Sequence, residues 1–219
     1  MDVFNNKEAL EQELLSDLIE IINAAINKFG DSRILLSGGS TPKHLYQKFA
    51  ETDIDWTKVH IGLVDDRNVP LDNDFSNEKM IRNIFSEANV DLVSIYSMTK
   101  REVEQETINE YNIFKSRTDF VLLGMGTDGH TASLFPDDKT SEALLNSEEI
   151  SIAQTNAPQY PQDRITCSKG LIKNSYHIAL MIFGEEKKEV FNQSKIDRKP
   201  ITYFIEECPQ MKTYYSSLP

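Results

Sequence analysis

Near the start of the chain, apolar residues recur at helical spacing: Leu10, Leu14, Leu18, Ile21, Ile22, Ala25, Ile26 and Phe29. Positions three and four apart share one helix face, so the pattern predicts an amphipathic helix over 7–29, stopped by Gly30. Beyond it, short apolar runs mark strands at 33–37, 59–64, 92–96, 120–123, 150–154, 164–167, 177–183 and 201–205. Amphipathic stretches between them predict helices from Pro42 to about Glu51, from a Ser76 cap through Phe85, over 101–116 and over 185–194. Strands that alternate with helices fold as α/β. The expectation is an open, mostly parallel, doubly wound sheet with helices on both faces, in one domain over 1–219.

Composition narrows the function classes. The chain has 219 residues, 39% hydrophobic and 26% charged, enough for a core that needs no staples. Two cysteines, Cys167 and Cys208, make neither a disulfide framework nor a paired metal motif, and are expected as reduced thiols. No apolar run approaches the roughly 20 residues that span a bilayer, and the polar, acidic first residues are unlike a signal peptide, so a cytoplasmic location is expected. The formal net charge of −12 argues against nucleic acid or anionic membrane as partners. A small anionic ligand would have to be met by local cations and amides.

Three predicted strands end in loops that could carry chemistry. In a parallel sheet, such ends share one edge and converge. The first is Ser37-Gly38-Gly39-Ser40-Thr41 before Pro42. Backbone N–H groups, two hydroxyls and a helix N-terminus there would form an anion cradle, with Ser40 or Thr41 as the cap; a plain strand–helix turn is the simpler reading. The second, Asp65-Asp66-Arg67, offers a guanidinium that can hold phosphate bidentately, or a surface ion pair of little consequence. The third, 120–136, reads FVLLGMGTDGHTASLFP and brings Asp128 and His130 into a glycine-rich turn. Its Gly124-x-Gly126-x-x-Gly129 spacing mimics a dinucleotide fingerprint, but Pro136 interrupts the long helix that fingerprint must open. His44, His60 and His177 are isolated, and no metal-ligand spacing occurs. Pro158-Gln-Tyr-Pro161 is a loop that could flank the site.

Taken in order, these segments resemble the 6-phosphogluconolactonase family, in the larger group that includes glucosamine-6-phosphate deaminases. LSGGSTPKHLY (36–46), DDRNVP (65–70) with Ser76-Asn77, and LLGMGTDGHTASLFP (122–136) are similar to its three main signatures. Arg164-Ile-Thr166 and Gly184-Glu-Glu-Lys187 resemble its late arginine and lysine segments. Thr131-Ala-Ser-Leu-Phe-Pro136 follows the lactonase version of the third signature, not the deaminase one. Asp66 stands where the family usually has a glutamate, and the chain after about residue 195 departs from the family pattern.

The resemblance implies hydrolysis of 6-phospho-D-glucono-1,5-lactone to 6-phosphogluconate in the oxidative pentose phosphate pathway. The residues fit that chemistry. An imidazole with an unperturbed pKa of about 6.5 can act as a base at neutral pH, which marks His130, and Asp128 is suited to orient it. No serine elbow GxSxG occurs, so direct attack by water is expected, without metal or organic cofactor. Gly38, Gly39, Ser40, Thr41, Asp66 and Arg67 are the candidate substrate grip, and the resemblance adds Arg164 and Lys187. The expected partner is a small phosphosugar lactone, bound by a monomer or small homo-oligomer. A glucosamine-6-phosphate deaminase-like enzyme, a non-catalytic phosphosugar sensor and a nucleotide-dependent oxidoreductase are the alternatives.

Overall fold

A computed structural model describes residues 1–98 and 111–218. Seven strands form one sheet in the order β1-β10-β9-β6-β2-β3-β5, and every adjacent pair is parallel. They are β1 (Asp2–Phe4), β2 (Ser32–Leu36), β3 (Val59–Leu63), β5 (Ser94–Ile95), β6 (Phe120–Leu123), β9 (His177–Phe183) and β10 (Met211–Ser216). From β2 the chain steps to β3 and β5 on one side, then returns to β6 and proceeds through β9 and β10 on the other. Right-handed crossovers then put the two sets of connections on opposite faces, and the direction reverses between β2 and β6. The crevice at such a switch point, outside the carboxyl ends of the strands, is where open α/β sheets bind ligands.

The helices are α1 (Lys7–Phe29), α2 (Lys43–Ala50), α3 (Asn77–Glu87), α4 (Asn112–Ser116), α5 (Lys139–Leu145), α6 (Lys169–Lys173), α7 (Glu185–Asp197) and α8 (Pro200–Glu207). The apolar stripe of α1 is buried as its spacing requires: Leu10, Leu14, Leu18 and Ile22 are fully enclosed, and burial of each such side chain contributes about 1.5–3 kcal/mol. Gly30 closes the helix in the left-handed conformation. Central strands are apolar on both faces, as in Ile34-Leu35-Leu36 and Val121-Leu122-Leu123, because helices cover the sheet.

The structure corrects several expectations. Residues 201–205 lie in helix α8, not a strand; Pro200 occupies its first turn, and Ile201 and Phe204, three apart, are buried. The strands β1 and β10 were not anticipated. Helix α2 starts after Pro42 with no side-chain cap, so neither Ser40 nor Thr41 caps it. Of the helix expected over 101–116, residues 101–110 lie outside the described residues and Asn112–Ser116 is helical. Finally, Asp65–Arg67 is not a loop but strand β4, which joins β7 (Ile152–Asn156) and β8 (Asp163–Cys167) in a small antiparallel sheet of order β4-β8-β7.

Candidate active site

The loops after β2 and β6, strand β4 and the β7–β8 hairpin surround one cavity of about 720 Å³ at the switch point. Ser37, Gly38, Gly39, Thr41, Asp65, Arg67, Asp128, His130, Arg164 and Lys187 all line it. Residues up to 150 positions apart in sequence therefore meet at one sheet edge, because parallel strands end together.

The β6 loop presents Asp128 and His130 to the cavity. His130 Nδ1 lies 2.5 Å from Asp128 Oδ1, and the His130 backbone N–H also donates to that oxygen at 3.1 Å. Burial pushes the Asp128 carboxyl up, but the hydrogen bond and charge of His130 outweigh it and hold the group below its ordinary value. An ionised carboxylate only accepts, so Nδ1 carries a proton. The ring rests against Phe135, centroids 4.7 Å apart. Gly126 permits this packing: a side chain there would collide with both the imidazole and the Asp128 carboxylate. The turn is locked by Gly126 N–H to His130 O (2.9 Å), Thr131 Oγ1 to Gly124 O (2.8 Å) and Ile201 N–H to Gly129 O (3.1 Å). No long helix follows Gly129; the next begins at Lys139, so the dinucleotide-like spacing here serves a tight turn.

The β2 loop passes close to α3. A side chain at Gly38 would run into the Asn77 amide, so only glycine allows this approach. Ser37 turns inward, its hydroxyl donating to Leu122 O at 2.7 Å. Gly39 and Thr41 reach the cavity, while Ser40 is exposed and outside its lining. The first N–H groups of α2 have no partner within the helix, and no side chain caps them.

Strand β4 sorts its residues by pleat. Side chains alternate across a strand, so Asp65 and Arg67 face the cavity and Asp66 faces away. This corrects the placement of Asp66 in the substrate grip. Its buried carboxylate instead accepts from Arg67 N–H (2.7 Å), Asn77 N–H (2.7 Å) and Glu78 N–H (3.0 Å), capping α3 beside Ser76, which caps Lys79. Burial pushes the Asp66 carboxyl up to about 6 against the pull of those donors. Asp65, which the sequence places in the second loop but not in the grip, accepts from Ser133 Oγ at 2.6 Å. Nothing in residue spacing announces that contact, which spans 68 positions.

The cations form the most unusual feature. Arg67 and Arg164 are register partners across the antiparallel β4–β8 pair, so two like charges sit directly opposite each other. Such a pairing is destabilising unless an anion lies between. Arg164 is only 8% exposed, its Nε has no hydrogen-bond partner, and burial together with the Arg67 charge draws its pKa down. Lys187, in the first turn of α7, is half-buried, and burial lowers it too. Among the described residues, none of the three has a carboxylate within ion-pair distance, although carboxylates outnumber cations in the chain, 35 to 23. His44, His60 and His177 do not line this cavity, and among the described residues no group of three or more His, Cys, Asp or Glu could hold a metal ion.

A family model described as "Glucosamine-6-phosphate isomerases/6-phosphogluconolactonase" matches residues 5–211. The chain belongs to this family. A 6-phosphogluconolactonase from Rhizobium meliloti (strain 1021) is 33% identical over 201 residues, covering 89% of this chain and 87% of that protein. One from Helicobacter pylori (strain J99) is 31% identical over 201 residues, covering 90% and 87%. Among solved structures, a 6-phosphogluconolactonase from Shewanella baltica OS155 superposes with a TM-score of 0.86 at 31% identity, over 98% of this chain and 96% of that one. Both activities in the family's description concern a 6-phosphorylated sugar, the kind of anion that three unpaired cations in one cavity would attract.

Proposed function

We propose that the chain, as a monomer or small homo-oligomer in the cytoplasm, hydrolyses 6-phospho-D-glucono-1,5-lactone to 6-phosphogluconate, the second step of the oxidative pentose phosphate pathway. The observation that carries this reading is the sharing of one cavity by an oriented imidazole and a facing pair of arginines that make no ion pair among the described residues. The relatives of both kinds are 6-phosphogluconolactonases, which favours the lactonase over the isomerase member of the family's description. The two thiols, Cys167 and Cys208, are buried and not disulfide-linked, which suits a reducing compartment.

In the proposed mechanism, Arg67, Arg164 and Lys187 hold the phosphate with the Gly38–Thr41 backbone and meet the charge that develops on the carbonyl oxygen. His130 Nε2 takes a proton from water as the water oxygen attacks the ester carbon. The tetrahedral adduct collapses, the bond from that carbon to the ring oxygen breaks, and the imidazolium returns the proton to the leaving alkoxide. Asp128 keeps Nδ1 protonated and stabilises the transient cation. General-base help of this kind contributes about 10²–10⁴ in rate.

A coupled assay tests the assignment. Glucose-6-phosphate dehydrogenase generates the lactone, and its disappearance is followed with and without this protein, with spontaneous hydrolysis subtracted. Accelerated loss is expected; ammonia release from glucosamine 6-phosphate with no effect on the lactone would replace the reading with the isomerase one.

A further inference from the structure

The cavity holds two aromatic side chains that the grip and the acid–base pair do not use. Phe75 and Tyr160 both line it, yet stand 43% and 76% exposed. Their ring centroids are 5.5 Å apart at 86°, an edge-to-face contact that leaves Tyr160 largely and Phe75 partly in water. They come from separate segments with well-anchored bases. Phe75 precedes the Ser76 cap of α3, and its N–H donates to Asn73 Oδ1 at 2.9 Å. Tyr160 lies at the tip of the β7–β8 hairpin, which is closed by Ala157 N–H to Gln162 O at 2.8 Å. Apolar surface kept at the mouth of a charged cavity marks a surface that a ligand covers.

A phosphate has no use for an aromatic wall; it needs donors. A six-membered sugar ring does have a use for one, since one side of the ring presents C–H groups that pack on aromatic carbon, while its hydroxyls suit the Tyr160 phenol. The open chain left after lactone hydrolysis has no such flat face. The wall is also tied to the grip, because Arg67 Nη1 donates to Phe75 O at 2.7 Å. An anion drawn to Arg67 is thereby held at a set distance from Phe75.

We propose that Phe75 and Tyr160 form a ring-binding wall that distinguishes the closed ring of a sugar phosphate from its open-chain form. This deepens the lactonase reading and rests on it for the substrate, but its test does not depend on turnover. Calorimetry on the full chain would use three probes: glucose 6-phosphate as an unreactive closed ring, 6-phosphogluconate as the open chain, and inorganic phosphate. Tyr160→Ala and Phe75→Ala should each weaken glucose 6-phosphate about tenfold, while phosphate and 6-phosphogluconate change little. Tyr160→Phe should keep most of the affinity, since the ring carries the effect. In lactone assays the alanine variants should lose in KM more than in kcat. Unchanged glucose 6-phosphate binding, or equal weakening of all three probes, overturns the wall. Failure of the unsubstituted chain to turn over lactone overturns the lactonase reading, and the calorimetric comparison still decides the wall.

Discussion

The two edges of the main sheet carry cavities of similar size whose cations are paired differently. At the carboxyl edge, the 720 Å³ cavity contains Arg67, Arg164 and Lys187 with no carboxylate partner among the described residues. At the amino edge, a cavity of about 620 Å³ lies against α1 and the starts of β6, β9 and β10. There a cation is paired: Lys212 Nζ is 2.6 Å from Asp17 Oδ2, which also accepts from the Tyr214 phenol. Beside it, Arg117 bridges Asp31 (2.5 Å) and Asp119 (3.1 Å), and Arg33 pairs with Asp31 at 2.9 Å. Volume does not separate the two cavities. The facing of Arg67 and Arg164 without an ion pair does, because a fold keeps like charges together only where something else lowers their energy.

The largest test of that contrast is His130→Ala, expected to lower kcat about 10²–10⁴-fold with little change in KM, by lactone turnover. Near-normal turnover would remove the imidazole from the chemistry. Next comes the cation pair. Inorganic phosphate should raise the melting temperature of the unsubstituted chain, since a ligand at 100 times its Kd adds about 2.7 kcal/mol. Arg67→Ala with Arg164→Ala should abolish that rise and increase KM about tenfold or more, while the phosphate-free protein keeps or gains stability as the repulsion is relieved. A phosphate response that survives both substitutions would show that the arginines are not the grip.

Two smaller effects sharpen the picture. Asp66 and Asp128 are both motif carboxylates, but burial raises one to about 6 and the histidine holds the other low. A raised folded-state pKa means the folded protein binds more protons between the unfolded value near 4 and about 6. The Asp66 contribution is thus fully present below that window and lost as pH rises through it. The Asp128 contribution has the opposite sign, being lost only as pH falls below the ordinary carboxylate range. Asp66→Asn should therefore flatten the pH dependence of the melting temperature between about 4 and 6 relative to the unsubstituted chain, and an unchanged slope would refute the assignment. Smallest of all, Asp17→Asn at the amino edge should cost about 1 kcal/mol or less by denaturant unfolding and leave KM for the lactone unaltered.

Local signals proved readable where a residue's neighbours in sequence decide its state. The α1 stripe, the Ser76 cap and the strand over 177–183 follow from spacing and side-chain chemistry alone. The turn that carries Asp128 and His130 is equally local, since the pair is two residues apart and its glycines are written into the same segment. The helix α8 was misread although Pro200 at its first turn was a visible start signal; the apolar 201–205 run fits either period over so short a length.

Sequence by itself therefore determined the α/β class, the long helix, the turn that joins Asp128 to His130 and the family to which the motifs belong. Tertiary structure alone decided the rest. Pairing of β4 with β8 set Arg67 opposite Arg164 and, by the pleat, turned Asp66 into α3 while facing Asp65 to the cavity. Pairing of β10 between β1 and β9 brought the two ends of the chain together. Partners and register across a sheet depend on contacts between residues far apart in sequence, and a strand's side chains choose their faces only once that register exists.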